Sequence, residues 1–263
     1  MSSSSRPPLQ SFRSALSQSP VRLDIAAISV GAHCRQETLD LDEELAKIDD
    51  LAAGVSDKNL AGVTQFLFEE QGFGGERDNY YDPENSYIDQ VIRRKRGIPI
   101  SLAIITIEVA RRCAVPLFGV GMPGHFLVGH REEKGVFVDP FEGKIIDETS
   151  ARTLFSTLHP TQEFHAEFLN ETAPDSIVLR MLNNLRMIHL RDQGVSQLTS
   201  VLELLVCFDD CPVDEFHRLA AALDALGRTD EAARHLEHAA ERYGGTDADE
   251  LRSRATRLWA RLN

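Results

Sequence analysis

Three side chains near the middle of the sequence are of the types that carry out nucleophilic catalysis: Ser101, His125 and Asp139. A carboxylate can hold one ring nitrogen of an imidazole, and the other nitrogen can then take a proton from a hydroxyl or a thiol. The reaction that such a set supports is hydrolysis or acyl transfer at an amide or ester. It requires a fold that brings the three groups within hydrogen-bonding reach of one another.

His125 begins a predicted β-hairpin and Asp139 lies near its end. The segments HFLVG and VFVDPF are strand-like in composition, and HREEKG between them predicts a turn. Glu132, inside this turn, is the midpoint between His125 and Asp139, so the two residues should lie within a residue or two of direct cross-strand register. The hairpin therefore predicts that the imidazole and the carboxylate are neighbours.

Ser101 stands at the start of a predicted helix, SLAIITIEVARRC, and Pro99 suits the first turn of that helix. The helix is apolar nearly all round, which is typical of a helix buried in the middle of a domain. A serine at a helix start has two interpretations: its oxygen caps the free N–H groups, or it is the nucleophile. The residue pattern leaves both open.

The order of the predicted elements indicates an α+β fold, with helices first and a small antiparallel sheet later. A polar, glycine-rich stretch, residues 72–86, interrupts the helices. The next helix is expected to begin at Asp82 or Glu84, with Pro83 in its first turn, and to stop near Gly97.

After residue 174 the sequence is typical of helices throughout. Turns recur 33 residues apart, at Gly194 and Gly227, and this period suits helix–turn–helix repeats. The segment resembles one to two degenerate tetratricopeptide repeats. The predicted organisation is therefore a disordered tail over residues 1–20, an α+β core over 21–173 and an all-α, tetratricopeptide-like region over 174–263.

The core resembles the transglutaminase-like proteins of the SirB type, a bacterial family. The resemblance runs from Leu23 to the C-terminus and is strongest between Gly72 and Gly143, in the motifs GFGG, YYDPENS, GIPISLA, VARR, GMPGHF and DPFEG. It implies a papain-like, transglutaminase-type core in which active relatives carry Cys, His and Asp. Ser101 takes the Cys position, His125 the His position and Asp139 the Asp position.

The serine at position 101 is the departure that matters most for function. A thiol ionises readily beside a histidine and a helix N-terminus, whereas a serine hydroxyl loses its proton only during attack and needs a closely placed base. SirB-type members commonly have GIPIS at this place, so the serine is typical of the family that the sequence resembles. The exchange favours a site without catalytic activity.

Other residues near the expected site also have two interpretations. Asn85, Tyr81 and Gly124 could line a substrate groove, or they could serve as turn, cap or packing residues; the same holds for Tyr80. The glycines and proline before His125, Gly121, Pro123 and Gly124, could shape the approach to the imidazole or donate N–H groups to an oxyanion. The basic cluster Arg93–Arg96 could be a solvated face, or it could be a site for an anion or an acidic peptide.

Composition narrows the set of partners. The net charge of −13 argues against nucleic acid or an anionic membrane as the main partner, and no apolar run reaches the roughly 18 residues that span a bilayer. No phosphate-loop motif calls for a nucleotide cofactor. Cys207 and Cys211 lack a second ligand pair at zinc spacing, so no metal is expected, and the few cysteines fit a reducing cytoplasm.

Three functions remain open from the sequence. The favoured one is a non-catalytic protein that binds a protein or peptide partner through its cleft and its helical repeats. The alternative is a Ser-His-Asp hydrolase or acyl transferase that acts on amide or ester bonds. A third is a structural subunit of a larger complex, in which the three residues serve folding alone. The sequence leaves the oligomeric state undetermined.

Overall fold

The computed structural model describes residues 7–262 of the chain. The chain divides into two compact units, Met1–Met181 and Leu182–Asn263. The division falls inside one helix and lies slightly beyond the boundary that the sequence analysis predicts, between residues 173 and 174. Within the described residues, no helix is both long enough and apolar enough to cross a bilayer.

The first unit begins with helices. They are α1 (Pro8–Leu16), α2 (Leu23–Arg35), α3 (Leu41–Gly54) and α4 (Leu60–Thr64), which continues as a π-helical segment over Gln65–Glu70. Helix α1 lies in the segment for which the sequence predicts a disordered tail, so that prediction is wrong for residues 8–16. Phe12 and Ala15 are completely buried, and burial of their apolar area stabilises the helix. Residues 1–6 lie outside the described residues.

The polar stretch that follows is more divided than the sequence predicts. It contains β1 (Gly74–Gly75), a 3₁₀ turn (Pro83–Asn85), α5 (Ile88–Arg94) and β2 (Arg96–Gly97), with β1 and β2 paired in parallel. Asp82 accepts a hydrogen bond from the Glu84 N–H and starts the 3₁₀ turn. The expected single helix up to Gly97 is therefore a 3₁₀ turn and a separate short helix.

Helix α6 (Pro99–Arg112) lies at the centre of the first unit. It packs against α3 on one side and against the sheet on the other, and eleven of its fourteen residues are buried. A helix with apolar residues on all faces is stable in water only when it is enclosed in this way. The predicted central helix is thus present, and it carries Ser101 in its first turn.

The sheet of the first unit has five strands, all antiparallel. In chain order these strands are β3 (Leu117–Val120), β4 (Leu127–His130), β5 (Val136–Asp139), β6 (Lys144–Asp147) and β7 (Glu171–Thr172). Their order across the sheet is β6-β5-β4-β3-β7. Helices packed on a small antiparallel sheet confirm the α+β class.

Helix α7 (Glu148–Leu158) and a 3₁₀ turn (Ala166–Leu169) complete the first unit between β6 and β7. Phe155 of α7 is fully buried and belongs to an apolar cluster with Val120, Met122 and Leu127. This cluster anchors both ends of the segment 121–126, which carries His125.

Helix α8 (Pro174–Arg191) passes from the first unit to the second. The second unit continues with α9 (Val195–Leu205), α10 (Val213–Ala225), α11 (Thr229–Arg242) and α12 (Gly245–Trp259). Helix α11 packs against both α10 and α12, and Ala232, Leu236 and Ala239 on α11 are fully buried. The predicted helical character is present, and its tetratricopeptide-like nature stays a prediction.

Candidate functional site

His125 and Asp139 form a direct pair. The Nε2 atom of His125 lies 2.9 Å from Oδ1 of Asp139. Val128 of β4 faces Val138 of β5, so the hairpin is centred at residue 133 and not at Glu132 as predicted. The pair is therefore a diagonal cross-strand neighbour, within the two residues of register that the sequence analysis allows.

The pair joins the end of one strand to the segment that precedes another strand. Asp139 is the last residue of β5, as predicted, whereas His125 lies two residues before β4 begins at Leu127. The sequence analysis is wrong to place His125 inside the strand. A segment outside the ladder can turn its side chain toward the neighbouring strand end, which an in-register strand residue cannot do freely.

The carboxylate is oriented by its own backbone. Oδ1 of Asp139 also accepts hydrogen bonds from the N–H groups of Phe141, at 3.0 Å, and Glu142, at 3.3 Å. The Asp139 side chain is 5% exposed and the His125 side chain is 10% exposed. Because Nε2 is engaged with Asp139, Nδ1 is the ring nitrogen left to meet an external group; it makes no hydrogen bond within residues 7–262.

Ser101 has a different environment. It is 0% exposed, and its Oγ accepts a hydrogen bond from the Ile98 N–H at 3.1 Å, which caps α6. The hydroxyl hydrogen is directed to backbone carbonyls, with Asn85 O at 2.6 Å and Ile98 O at 3.0 Å. In the described part of the chain, no hydrogen bond joins Ser101 to His125.

These contacts use both hydrogen-bonding functions of the Ser101 hydroxyl. A nucleophile has to reach a substrate carbonyl and to give its proton to a base, and the Ser101 proton is instead donated to a backbone carbonyl inside the core. A Cβ added at Gly97 would stand 2.7 Å from Ser101 Oγ, so the hydroxyl is also closely enclosed. The Ser101 hydroxyl is therefore hydrogen-bonded to backbone groups, whereas His125 is hydrogen-bonded to Asp139.

The three predicted groove residues do not share one environment. Asn85 is completely buried, so it does not line an exposed groove; its amide donates to the carbonyls of Asn79 and Tyr80. Tyr81 is 56% exposed and Gly124 is exposed. The assignment of Asn85 to a substrate groove is therefore wrong. Asn85 instead organises the loop before α5, which is the turn function that the sequence also allows.

An aromatic group lies beside the imidazole. The Phe141 ring is 6.3 Å from that of His125 and 6.1 Å from that of Tyr80, measured between ring centroids. A Cβ on Gly75 would stand 2.4 Å from the Phe141 ring, so this glycine gives the ring its space. Sequence analysis missed Phe141, although its place two residues after Asp139 was a usable signal.

The turn before His125 is held by Arg180 of α8, which sequence analysis also missed. Its Nη2 donates to the carbonyls of Met122, at 2.8 Å, and His125, at 2.7 Å. Gly124 in this turn has a φ of +74°, which an L residue adopts only with strain, and a Cβ there would meet His159 Nε2 at 2.6 Å. Gly124 therefore shapes the backbone of the turn.

The basic cluster Arg93–Arg96 makes contacts within the protein. Arg94 pairs with Asp82 and Glu84, and Arg96 donates to the carbonyl of Gly72. Lys95 lies 4.2 Å from the centroid of the Phe73 ring, and burial lowers the pKa of its ammonium group. These contacts attach α5 and β2 to the preceding loop, so the cluster has a structural use.

The two close cysteines are also engaged locally. Cys207 Sγ donates to Glu203 O, and burial raises the pKa of Cys211 to about 11. Within residues 7–262, no cluster of three or more His, Cys, Asp or Glu side chains is arranged to hold a metal ion.

A buried central helix packed against a small antiparallel sheet, with His125 before β4 paired to Asp139 at the end of β5, defines the class of this protein. Residues 31–183, more than half of the chain, match the model of the transglutaminase-like superfamily. The chain therefore belongs to the transglutaminase-like superfamily.

Relatives of the chain include bacterial and mammalian proteins. A UPF0162 protein of Xylella fastidiosa is 43% identical over 49% of this chain and 48% of its own length. The UPF0162 protein PA3419 of Pseudomonas aeruginosa is 31% identical over 69% of this chain and 70% of its own. F-box only protein 21 of Mus musculus is 37% identical over 34% of this chain and 14% of its own. The chain thus spans about half the length of the first of these relatives.

Proposed function

We propose that this chain is a non-catalytic transglutaminase-like protein that binds a protein or peptide partner on the surface around His125, Tyr81 and Gly124. The proposal includes the finer assignment to the SirB-type family, with a tetratricopeptide-like helical region as a second docking surface and a cytoplasmic place of action. Ser101 is a structural residue in this proposal.

One observation carries the proposal: the Ser101 hydroxyl is completely buried and its hydrogen bonds go to backbone groups. A serine that caps a helix and donates to Asn85 O has no proton to give to His125. Activation would require breaking the bond to Asn85 O inside the core and turning the hydroxyl toward the imidazole. Each 1.4 kcal/mol that this rearrangement adds to the barrier slows the reaction about tenfold.

Two surfaces offer contact area to a partner. Near the imidazole, Tyr81 is 56% exposed and Tyr80 is 36% exposed, and exposed tyrosines are common anchors in protein interfaces. In the second unit, a groove of about 640 Å³ is lined by polar side chains of α12 and by one residue of α10. Those residues are His217, Thr246, Asp249, Glu250, Ser253, Arg254 and Arg257.

Labelling with a fluorophosphonate probe tests whether Ser101 is inert. We expect no labelling of Ser101 in the folded chain, and the same background in Ser101→Ala. A matched variant, Ser101→Cys treated with iodoacetamide, should also remain unmodified until the protein is unfolded, because position 101 has no exposed surface. Stoichiometric labelling of Ser101 under native conditions would contradict the proposal.

Affinity capture with the full-length chain tests the binding function. Partners identified by mass spectrometry should be retained by the parent protein and lost in Tyr81→Ala or in Arg254→Ala, depending on the surface used. Arg152→Gln, on an exposed part of α7, is the control that should retain them. If no partner is captured above background by any form, the binding function is wrong.

The alternative function is a Ser-His-Asp hydrolase or acyl transferase. The observation in its favour is the intact His125–Asp139 pair, 2.9 Å apart, with Nδ1 available. This alternative requires the Ser101 hydroxyl to leave the carbonyls of Asn85 and Ile98 and to turn toward the imidazole. It predicts ester hydrolysis that disappears in Ser101→Ala, in His125→Ala and in Asp139→Ala; the non-catalytic proposal predicts no difference among the four proteins.

A further inference from the structure

Arg180 is a partly buried cation beside His125 that has no acidic partner. Within residues 7–262, no carboxylate lies within ion-pairing distance of its guanidinium. Other partly buried arginines of the first unit have one: Arg35 lies 2.7 Å from Asp89, and Arg112 lies 3.0 Å from Asp24. Charged side chains are rarely taken out of water without a compensating charge.

The hydrogen bonds of Arg180 leave most of its donors free. Both bonds to carbonyls, those of Met122 and His125, are made by Nη2. A guanidinium has five N–H donors in a planar fork, so the donors of Nη1 and Nε are available to an acceptor on the outer side. Both two-pronged faces of a guanidinium include Nη2, which already donates to the two carbonyls, so a carboxylate here would accept a single charge-assisted hydrogen bond from Nη1 or from Nε.

Arg180 is only partly buried, and it lies close to a glycine and to an aromatic ring. A Cβ on Gly121 would stand 3.0 Å from Nη1, so the glycine permits the close approach of the guanidinium. The guanidinium carbon lies 5.2 Å from the centroid of the Phe126 ring. Burial raises the pKa of Tyr80 and the charge of Arg180 opposes that rise, so the two side chains are electrostatic neighbours.

The position of Arg180 relative to the imidazole gives it a use. Its Nη2 donates to the carbonyl of His125 itself. The Phe141 ring neighbours both the Tyr80 ring and the His125 ring. A ligand on this surface can therefore contact the imidazole edge, an aromatic wall and a cation at once. Burial lowers the pKa of the Arg180 guanidinium, which nevertheless stays charged at neutral pH.

We propose that Arg180 binds a carboxylate of a peptide ligand, from its C-terminus or from an acidic side chain, at the surface next to His125. The inference rests on the proposed binding function and specifies the chemistry of its ligand. The carboxylate accepts a hydrogen bond from the guanidinium, and the neighbouring peptide groups pack on Tyr80 and Phe141.

Nuclear magnetic resonance titration of the full-length chain tests the site with two small probes of nearly equal shape. N-acetylglycine carries the carboxylate, and N-acetylglycinamide is its neutral counterpart. We expect saturable shifts of the Arg180 Nε–H and the His125 ring signals with N-acetylglycine, and an affinity at least about tenfold lower for the amide because it lacks the charge-assisted bond.

Two variants separate ligand binding from structural support. Arg180→Gln keeps an N–H₂ group for the two carbonyls but removes the charge, and it should abolish the preference for N-acetylglycine. Arg180→Lys keeps the charge without the planar guanidinium, and it should bind N-acetylglycine with intermediate affinity. It takes the place of the glutamine variant if that variant fails to fold. Arg152→Gln, whose parent residue pairs with Glu148, should behave as the unmodified chain does.

The outcomes are distinguishable from those that test the proposed function. Equal responses to both probes, an undiminished preference in a folded Arg180→Gln, or no response to N-acetylglycine would each overturn the carboxylate site. Fluorophosphonate labelling of Ser101 together with a specific N-acetylglycine response would overturn the non-catalytic proposal and leave the Arg180 site standing.

Discussion

Ser101 and the His125–Asp139 pair, which the sequence resemblance assigns to one triad, lie in opposite environments. The serine is sealed in the core, where backbone groups satisfy its hydroxyl. The imidazole is held by a carboxylate but keeps one ring nitrogen without a partner at the edge of the surface. A polar group whose hydrogen bonds are all made inside the fold contributes stability, whereas one with a free site can still meet a ligand.

The largest effect on stability is expected at Asp24, a buried carboxylate beside the C-terminal end of α6. Asp24 is 1% exposed and accepts hydrogen bonds from Arg22, Arg111 and Arg112. Asp24→Asn should lower the free energy of unfolding by about 1.5–3 kcal/mol, because it removes the charge from a buried carboxylate that accepts hydrogen bonds from three arginines. Urea denaturation measures this loss; the exposed ion pair broken in Arg152→Gln is the control and should change it by about 0.5 kcal/mol at most.

The same end of the helix predicts the response to pH. Hydrogen bonds from Arg22 and Arg112 outweigh burial and hold the pKa of Asp24 below 3.8. Its contribution is therefore present above pH 3.8 and is lost as the pH falls through the folded-state pKa. Burial, with Asp24 nearby, raises the pKa of Glu108 above 4.5, so Glu108 makes stability fall as the pH rises from 4.5 to its folded-state pKa.

Denaturation over an acidic pH series checks these signs. The free energy of unfolding of Asp24→Asn should depend less steeply on pH below 3.8 than that of the parent chain. Glu108→Gln should remove the opposite slope above pH 4.5. Identical pH profiles for all three proteins would show that neither carboxyl group is linked to folding.

Ser101→Ala measures how much the buried hydrogen bonds of Ser101 stabilise the fold. It removes the cap from Ile98 N–H and the donor to Asn85 O, so the free energy of unfolding should fall by about 1–3 kcal/mol. Ser86→Ala is the matched control, since Ser86 is also completely buried but its Oγ has no hydrogen-bond partner among residues 7–262. If the two substitutions cost the same, the hydrogen bonds of Ser101 are not what stabilises α6.

Breaking the His125–Asp139 hydrogen bond should have a smaller effect on stability. A double-mutant cycle with His125→Ala and Asp139→Ala should yield a coupling energy of about 1 kcal/mol from the imidazole–carboxylate bond. Asp139→Ala alone should cost more than His125→Ala, because Asp139 also accepts from the Phe141 and Glu142 N–H groups. A coupling energy near zero would mean that the pair is not formed in solution.

Tyr81→Ala should have the smallest effect on folding. Its side chain is 56% exposed, and substitutions at such positions usually change the free energy of unfolding by no more than about 0.5 kcal/mol. The same change should weaken partner capture through this surface. A large loss of stability with unchanged capture would reverse the assignment of Tyr81 to the binding surface.

The sequence could predict the His125–Asp139 contact because it depends on local geometry. A hairpin brings together residues on either side of its turn, so counting from HREEKG was enough to within two residues. The α+β order and the central helix were likewise visible in apolar periodicity. Even so, the start of β4 was misplaced, since strand composition does not mark where pairing begins.

The remaining features depend on contacts that are distant in sequence. Nothing in the local pattern joins Ser101 to the carbonyl of Asn85, 16 residues earlier, or Arg180 to the carbonyl of His125, 55 residues earlier. The helix at Pro8–Leu16 was missed for a similar reason: two buried apolar residues, Phe12 and Ala15, stabilise a segment whose composition is otherwise typical of disorder.

The bond from Ser101 to Asn85 O has an evolutionary consequence. The amide of Asn85 in turn holds the carbonyls of Asn79 and Tyr80, so the oxygen at position 101 is the inner anchor of the loop that displays both tyrosines. A thiol is a weaker hydrogen-bond donor than a hydroxyl and makes a longer bond, so a cysteine at position 101 would hold that loop less firmly. If the two tyrosines serve the proposed binding function, selection for them would therefore oppose a cysteine at position 101.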